Sequence, residues 1–139
     1  MKTRSEVNRL HNGYLCLGCN ADCEKNVRLA CRELETFLSD VYWGEARWTQ
    51  PVDFSNPALF CNRVAFFCTD LEVSEVREQF KRIERLCGRT SSDKANGIVK
   101  MDIDLLAFDH RVLKPEDWER DYVKTSVKEL SLTCKKTRL

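Results

Sequence analysis

The chain has 139 residues, of which 42% are hydrophobic and 32% are charged, and its formal net charge is +1. This length is typical of a single domain with its own core, and this balance excludes a disordered, collagen-like or coiled-coil chain. A net charge near zero provides no basic field for phosphate backbones or anionic lipid. We therefore expect no nucleic acid and no membrane as partner.

The cysteines and the first residues bear on the compartment. Eight cysteines would fit a disulfide framework in a secreted protein, but residues 1–12 are polar and lack the apolar core of a secretion signal. No later stretch is long enough to span a bilayer. We expect a cytoplasmic monomer whose cysteines stay reduced, with a polar extension over residues 1–12, one domain over 13–134 and a frayed end over 135–139.

The first half of the chain predicts two strands around one helix. Residues 13–18 are an apolar run that ends in glycine, which indicates a buried strand. Apolar residues at helical spacing predict a helix over 27–38, with Asp22 as its N-cap. The segment 41–49 is rich in Trp and Tyr and predicts a second strand, whereas the prolines in 50–57 indicate a loop.

The second half begins with the most strand-like segment, residues 59–69, which we expect to be central and buried. An amphipathic helix follows over 73–87, and Gly88 is placed to end it. After the polar loop 89–97, apolar and polar residues alternate over 99–105, which predicts a strand with one apolar and one polar face.

A last helix is predicted to begin at Pro115 and to run towards Leu132. The order strand, helix, strand, strand, helix, strand is that of a ferredoxin-like β-α-β-β-α-β core of the α+β class, here with an extra C-terminal helix. We expect the two main helices to cover one face of an antiparallel sheet and to leave the other face free for a ligand.

Two carboxylates share one small area of the predicted last strand. Asp102 and Asp104 are two residues apart, so both side chains project to the same side. Such a pair repels itself unless a cation lies between the groups, and its oxygens suit Mg²⁺ held jointly with substrate phosphates. The alternative is an exposed strand face with two solvated charges.

Basic residues surround this pair. Arg89 and Lys94 lie in the preceding loop, and Lys100 shares a strand face with Asp102. Phosphoryl transfer depends mainly on positioning and charge neutralisation, so a mobile basic loop suits the enclosure of ATP. The alternative is a solvated basic loop without a ligand.

A third feature is Asn62 on the central strand, near Phe60, with the segment 49–52 approaching from the preceding loop. An asparagine offers both a donor and an acceptor, and an aromatic ring can stack on a flat heterocycle that carries an amide edge. The alternative is a core aromatic beside a satisfied polar residue.

Together these features resemble the 6-hydroxymethyl-7,8-dihydropterin pyrophosphokinases, over a span from about Tyr14 to Leu130. The order and spacing of short segments carry the similarity. Leu17 to Asn20 is similar to the family's Leu-Gly-Ser-Asn, and Thr49 with Pro51 and Val52 is similar to its Thr-Pro-Pro-Leu. Phe60 with Asn62 resembles Tyr-Leu-Asn, Ile83-Glu84 and Gly88-Arg89 resemble Ile-Glu and Gly-Arg, and Asp102 to Leu106 resembles the closing Asp-x-Asp strand.

The resemblance implies transfer of the β,γ-diphosphate of ATP, the co-substrate, to the hydroxymethyl group of the pterin, which gives AMP and serves folate biosynthesis. It implies two Mg²⁺ ions held by Asp102 and Asp104, with Arg89 and Lys100 as further catalytic residues. The implied pterin site consists of Thr49, Pro51, Val52, Phe60, Asn62 and Tyr122. The implied ATP site consists of Glu84, Arg89, Leu105 and Arg120.

The chain departs from the family in one region. The family's Arg-Trp-Gly-Pro-Arg stretch corresponds to Ala95 to Val99, and its later Pro-His element is missing, since the chain has Lys114-Pro115 there. Val99 thus replaces a catalytic-loop arginine, and we expect Lys100 to supply the charge, although lysine lacks the forked pairing of arginine. A second possible function is therefore that of a family member that binds pterin or nucleotide without turnover.

Two functions outside this family are also compatible with the fold class. Small ferredoxin-like metal chaperones carry Cys-x-x-Cys after the first strand, where this chain has Cys16, Cys19 and Cys23. On a continuous strand, however, Cys16 and Cys19 would point to opposite sides. A pure interaction module, with Trp43 and Trp48 on a contact edge, has no specific feature in its favour.

Overall fold

The computed structural model describes residues 10–51 and 57–137. Its strands are β1 (His11–Cys19), β2 (Asp40–Trp43), β3 (Arg47–Thr49), β4 (Phe60–Thr69), β5 (Asp102–Phe108) and β6 (Arg111–Val112), and its helices are α1 (Cys23–Phe37), α2 (Val73–Leu86), α3 (Pro115–Trp118) and α4 (Asp121–Thr137), with one 3₁₀ turn at Lys94–Asn96.

The strands form one sheet in the order β2-β4-β1-β5-β6, and β3 also pairs with β4. Every pairing is antiparallel. Apart from the short strands β3 and β6, the elements follow the predicted β-α-β-β-α-β order, and α4 is the extra C-terminal helix. The prediction of an α+β, ferredoxin-like fold is confirmed.

The main core lies between the sheet and the pair α1 and α2. Alternate residues of β1 point into it, and Leu15 and Leu17 are fully buried there. Leu34 of α1 and Ile83 of α2 meet them from the helices. Each such side chain stabilises the fold by about 1.5–3 kcal/mol, which explains why the apolar spacing predicted both helices.

The ends of the two helices agree with the predictions only in part. Asp22 is the N-cap residue of α1, but its backbone is left-handed and its side chain makes no capping hydrogen bond. A capping box of Glu72 and Glu75 begins α2. Gly88, with φ of 93°, follows the C-cap Cys87 as predicted, in a conformation that favours glycine.

The prediction that the second sheet face is free is wrong over much of its area. Residues of α4 pack on it, and they bury a second apolar cluster made of Cys16, Val64, Phe66, Leu106, Val123 and Leu130. The sequence pattern placed this helix at the end of the chain, but only its packing shows which sheet face it covers.

Several predicted boundaries change. The segment 41–49 forms two strands, because at Gly44 the chain leaves the ladder: its N–H donates to Val64 O (2.8 Å), and its carbonyl accepts from Arg63 Nε (2.8 Å). A Cβ at Gly44 would lie 3.1 Å from that Val64 oxygen, so the close approach favours glycine. The predicted helix from Pro115 is interrupted and forms α3 and α4.

The last long strand and the chain ends also differ from the predictions. β5 begins at Asp102 rather than at Val99, because the backbone of Val99 bonds to Asn20 instead of entering the sheet. β1 begins at His11, within the predicted extension, and α4 includes residues 135–137, which we expected to be frayed. Residues 1–9 and 138–139 lie outside the described ranges. Within those ranges, no helix is both long and apolar enough to cross a membrane.

Candidate functional site

A polar row crosses the sheet where β1 ends. Gly18 pairs with Asp102 on one side and with Asn62 on the other, and Asn62 pairs with Arg47 of β3. Directly paired residues of antiparallel strands share a face, so these four residues lie on the face that α4 partly covers. With strands about 4.8 Å apart, Asp102 and Asn62 are separated by roughly 10 Å.

Gly18 keeps the middle of this row open. A Cβ at this position would lie 3.8 Å from Asn62 Oδ1, so a small side chain would fit but would project into the space between Asn62 and Asp102. The absence of a side chain leaves a flat floor. The structure therefore brings the predicted metal residues and the predicted pterin residue to one open surface.

The carboxylates of Asp102 and Asp104 lie together on this face, as the spacing predicted, while Ile103 points into the core. Each carboxylate has its own cation: Arg89 Nη1 is 3.0 Å from Asp102 Oδ1, and Lys114 Nζ is 2.7 Å from Asp104 Oδ1. Burial, and then the charge of Asp102, raise the pKa of Asp104, whereas Lys114 lowers it. A cation between the two carboxylates would relieve this repulsion.

Glu84 organises the Arg89 side of the pair. Its buried carboxylate accepts the backbone N–H of Ile103 (2.8 Å), and the Arg89 guanidinium lies 3.1 Å from the same oxygen. Burial raises the pKa of Glu84, and the Ile103 hydrogen bond and Arg89 oppose this change. Glu84 thus holds Arg89 between itself and Asp102.

A cavity of about 480 Å³ opens beside the carboxylate pair. Of the predicted ATP residues, Glu84, Arg89 and Leu105 line it, whereas Arg120 is not among the lining residues and donates to Asp117 (3.1 Å). The charged residues in its wall are Arg77, Lys81, Arg85, Arg89 and Lys114 against Glu84, Asp102 and Asp104. The wall carries an excess of positive charge, which suits a polyanion.

Sequence reasoning did not assign four of these cations. Arg77, Lys81 and Arg85 are four residues apart on α2, so they share one side of the helix, and this spacing is visible in the sequence. Lys114 has no such signal, because its position depends on how the chain returns after β6.

Lys100, which we expected near the carboxylates, lies elsewhere. Its ammonium donates to Gly88 O (3.1 Å) and is 3.6 Å from Asp93 Oδ2. The structure does not place it in the wall of the cavity. Its catalytic role stays a prediction, and the cation found beside Asp104 is Lys114.

The loop before β5 is held by several hydrogen bonds. Asp93 Oδ2 accepts the N–H of Thr90 (2.9 Å), and its carbonyl accepts from Asn96 (3.0 Å) and Ile98 (2.9 Å). These contacts close the loop on itself.

Asn20, which directly follows β1, attaches the end of this loop through its side chain and its backbone. Asn20 donates to Gly97 O (2.8 Å) and accepts from Val99 N (2.7 Å). The backbone N–H of Asn20 also donates to Val99 O (2.8 Å). The segment that we expected to be mobile is thus anchored at its C-terminal end.

The predicted pterin residues on β3 and β4 are brought together. Asn62 is 7% exposed, and its Nδ2 donates to Thr49 Oγ1 (2.8 Å) and more weakly to Arg47 O and Phe60 O (both 3.3 Å). Phe60 pairs with Thr49 and is half-buried. Pro51 is half-buried beyond β3, and Val52 lies outside the described residues.

Tyr122, the other predicted aromatic neighbour, is in the first turn of α4. Its hydroxyl lies near the thiol of Cys16, and burial raises the pKa of both groups. Cys16 pairs with Asp104 across β1 and β5, so Tyr122 lies over the sheet next to the carboxylate pair.

Arg47 was missed by sequence reasoning, although it connects this end of the site to α4. Its Nη2 donates to both carboxylate oxygens of Glu129 (3.1 Å each), and its Nε lies 3.4 Å from Ser126 Oγ. No spacing in the sequence relates these residues, which are about eighty positions apart.

The cysteines whose side chains the structure describes form no metal centre. Cys16 lies in the α4-side cluster and Cys19 in the main core, on opposite faces of β1. Cys19 lies near Cys23 and Cys61, and the thiols of all three are free. Over residues 10–51 and 57–137, no three His, Cys, Asp or Glu side chains form a group that could hold a metal ion.

Mg²⁺ does not require such a group. It is usually bound through one or two carboxylates, together with waters and substrate phosphates. Asp102 and Asp104 fit this mode, because they share a face, repel each other and border a positively charged cavity.

Comparisons with known proteins give one informative match. The family model of 7,8-dihydro-6-hydroxymethylpterin-pyrophosphokinase (HPPK) matches residues 14–132. No curated protein sequence matches the chain.

Among solved structures, the C-terminal domain of the MgtC protein from Mycobacterium tuberculosis is similar at a TM-score of 0.40 and 9% identity, over 82% of this chain and 100% of that one. A likeness at this level carries no argument. The family match, in contrast, spans nearly the whole described sheet and includes both carboxylates and Asn62. The chain belongs to the 7,8-dihydro-6-hydroxymethylpterin-pyrophosphokinase family.

Proposed function

We propose that this protein transfers a diphosphate group from ATP to 6-hydroxymethyl-7,8-dihydropterin, which gives AMP and the pterin diphosphate of folate biosynthesis. The observation that carries this proposal is the polar row of the sheet. Asp102 and Asn62 share one open face on either side of Gly18, next to the positively charged cavity. A pterin site and a polyphosphate site would then meet at the carboxylate pair.

The cavity beside β5 is the proposed ATP site. Its excess of cations is suited to the triphosphate, and Arg89 is held towards the carboxylates by Glu84. Leu105 adds an apolar surface in the same wall. We include Arg120 in the proposed site because of the family resemblance, although its contact with Asp117 lies outside this cavity.

Asp102 and Asp104 are the proposed ligands of two Mg²⁺ ions. These ions would neutralise the negative charge that develops on the transferred phosphates. The two aspartates would hold both ions, and Arg89 and Lys114 are the cations beside the same carboxylates.

The other end of the row is the proposed pterin site. Asn62 is held by Thr49, so its amide has a defined orientation for an amide-like edge of the ring. Phe60 is the aromatic group near this end, Tyr122 lies over the sheet closer to the carboxylate pair, and the backbone at Thr49, Pro51 and Val52 would complete the site. The missing side chain at Gly18 leaves room for a flat ring.

In the proposed reaction, the hydroxyl oxygen of the pterin attacks the β-phosphorus of ATP. The bond between this phosphorus and the oxygen that bridges to the α-phosphorus breaks, AMP leaves with that oxygen, and the hydroxyl proton is released. Most of the catalytic effect in such a transfer comes from positioning and charge stabilisation rather than from a covalent intermediate.

The test is AMP formation from ATP, Mg²⁺ and the pterin, for the wild type and for Asp102→Asn. We expect pterin-dependent AMP that is abolished by EDTA and by this substitution. Asp40→Asn, which changes an exposed acid at the opposite end of the sheet, is the matched control and should retain activity. Wild-type protein that binds neither substrate would contradict the proposal.

A second candidate function is that of a family member that binds pterin or nucleotide without turnover. Two observations favour it: Val99 provides no charge where the family has an arginine, and the loop before it is anchored by Asn20 and Asp93. Saturable binding of both ATP and the pterin, without AMP in the presence of Mg²⁺, would identify this second function.

A further inference from the structure

Lys114 places a cation at the carboxylate pair that the family resemblance does not provide. Its Nζ lies 2.7 Å from Asp104 Oδ1, and its side chain is 47% exposed in the wall of the ATP cavity. The family's Pro-His element is missing from this region of the chain, so the resemblance supplies no functional residue there.

The backbone fixes the position of Lys114. β6 pairs only with the last two residues of β5, Ala107 and Phe108, so no strand of the described residues pairs with the outer edge of β5 near Asp104. The chain after β6 turns back to this edge, and the N–H groups of Leu113 (2.8 Å) and Lys114 (3.3 Å) both donate to Leu106 O. The main chain therefore places Lys114 beside Asp104, while its long, partly exposed side chain can still change its conformation.

Charge balance indicates what this ammonium can bind. Arg89 and Lys114 each neutralise one carboxylate of the pair. With Mg²⁺ held by Asp102 and Asp104, the charge of these carboxylates would be neutralised by the ion, and Arg89 and Lys114 would become available to an anion in the cavity. Arg89 keeps a second partner in Glu84, whereas among the ion pairs of the described residues Lys114 has only Asp104.

Lys100 is less suited to this role. Its ammonium is engaged by Gly88 O and Asp93, on the side of the anchored loop. To reach the carboxylate pair it would have to give up both contacts. Lys114 is already in the cavity wall.

We infer that Lys114 is a phosphate-binding residue, whose ammonium leaves Asp104 and contacts a phosphate oxygen of the nucleotide when Mg²⁺ binds the carboxylate pair. The inference rests on the proposed ATP site. Lys114 would then supply part of the positive charge that is missing because Val99 stands where the family has an arginine.

The experiment is equilibrium titration with ATP and Mg²⁺, without pterin, of the wild type and of Lys114→Ala, Lys114→Met and Lys114→Arg. Because one charge-assisted hydrogen bond is lost, we expect the Kd for ATP to rise about 10-fold in the first two variants. Lys114→Arg should remain within about 3-fold of the wild type. The Kd for adenosine, which has no phosphate, should be unchanged in all of them.

The matched control is Lys124→Ala, which removes a lysine from another ion pair, with Glu119, outside the cavity. It should bind ATP like the wild type. Thermal unfolding of each variant shows whether it is folded, and Lys114→Met retains the apolar stem if the alanine variant unfolds.

Three results would overturn the inference: ATP binding by Lys114→Ala and Lys114→Met within twofold of the wild type, an equal loss for ATP and adenosine, or a larger loss in Lys100→Ala than in Lys114→Ala. AMP formation separates this inference from the proposed function. Normal ATP binding by the Lys114 variants in a protein that forms AMP overturns only the role of Lys114. A Lys114-dependent Kd for ATP in a protein that forms no AMP overturns only the proposed turnover.

Discussion

The two ends of the sheet face that α4 partly covers are built from the same three strands, yet they differ in composition. At one end, the ring of Tyr14 lies 5.2 Å from Phe66 and 5.5 Å from Trp118, and its hydroxyl bonds to Ser131 (3.1 Å). At the other end, further along β1, Gly18 lies between Asp102 and Asn62. We call these the covered end and the open end.

The difference shows how one face serves both folding and function. At the covered end, where Phe66 is buried and Tyr14 and Trp118 are half-buried, side chains pack against α3 and α4, so changing them should affect the free energy of unfolding. At the open end, Asp102 and Asp104 are half-buried beside the cavity and the buried Asn62 is bonded to Thr49, so changing these polar groups should affect ligands more than the fold. Substitutions at the two ends test this separation, and the largest effects on stability and on activity are expected first.

Two glycines of β1 provide the sharpest contrast in stability. A Cβ at Gly13, near the covered end of the strand but on its opposite face with Phe67 of the main core, would lie 2.5 Å from Ala107 O and 2.8 Å from Phe67 Cζ, so the backbone would have to shift. We expect Gly13→Ala to lower the free energy of unfolding by about 3 kcal/mol, measured in urea. Gly18→Ala has 3.8 Å of room and should change it by less than about 0.5 kcal/mol. Equal losses would contradict the distinction.

Asp104→Asn should have the largest effect on activity. The substitution removes a proposed metal ligand but preserves shape, so we expect the rate of AMP formation to fall about 100-fold or more, equivalent to about 2.7 kcal/mol in the activation barrier. The free energy of unfolding should change by less than about 1 kcal/mol, since burial and Asp102 already disfavour the charged form of Asp104. Loss of the fold would instead show that Asp104 supports the structure of the sheet.

Asn62→Ala should separate the two substrates. The substitution removes the proposed hydrogen bonds to the pterin and lies on the far side of Gly18 from the carboxylates. We expect the Kd for the pterin to rise about 10-fold and that for ATP to stay within twofold.

Thr49→Val is the companion variant, because it removes the hydroxyl that accepts from Asn62 Nδ2 and retains the asparagine. It should weaken pterin binding less than Asn62→Ala does. A similar loss for both substrates in Asn62→Ala would indicate a structural role for this residue.

Arg47→Met should have the smallest effect. It removes the paired hydrogen bonds to Glu129 but retains an unbranched stem, and the pair is partly exposed. We expect a loss of about 1 kcal/mol or less in the free energy of unfolding and unchanged ATP binding. A change in ATP affinity would show that the contact between Arg47 and α4 affects ATP binding in the cavity.

Much of the site follows from local sequence patterns. Alternation over β5 correctly placed Asp102 and Asp104 on the polar side of the strand, and three- and four-residue spacing predicted α1 and α2, because strand and helix periods are properties of neighbouring residues. The contact of Glu84 with Arg89 also lies close to the end of α2.

Other features depend on contacts between distant segments. The carbonyl of Leu106 accepts the backbone N–H of Lys114, which places this lysine beside Asp104. Asn20 anchors the loop at Val99, and Arg47 attaches β3 to α4. Each joins segments whose proximity is decided by the folded chain and has no periodic signal. This is why Lys100, near Asp102 in the sequence, was the cation that the sequence favoured.

The sequence by itself determined the order of the elements, the faces of β1 and β5 and the positions of the two carboxylates, because these depend on backbone periodicity and on apolar spacing. Only the tertiary structure decided that α4 covers much of the second sheet face, that Gly44 splits the second strand and that Lys114 lies beside Asp104. Such features depend on how whole elements pack against one another, since packing brings together side chains whose separation along the chain is unrelated to their distance in space.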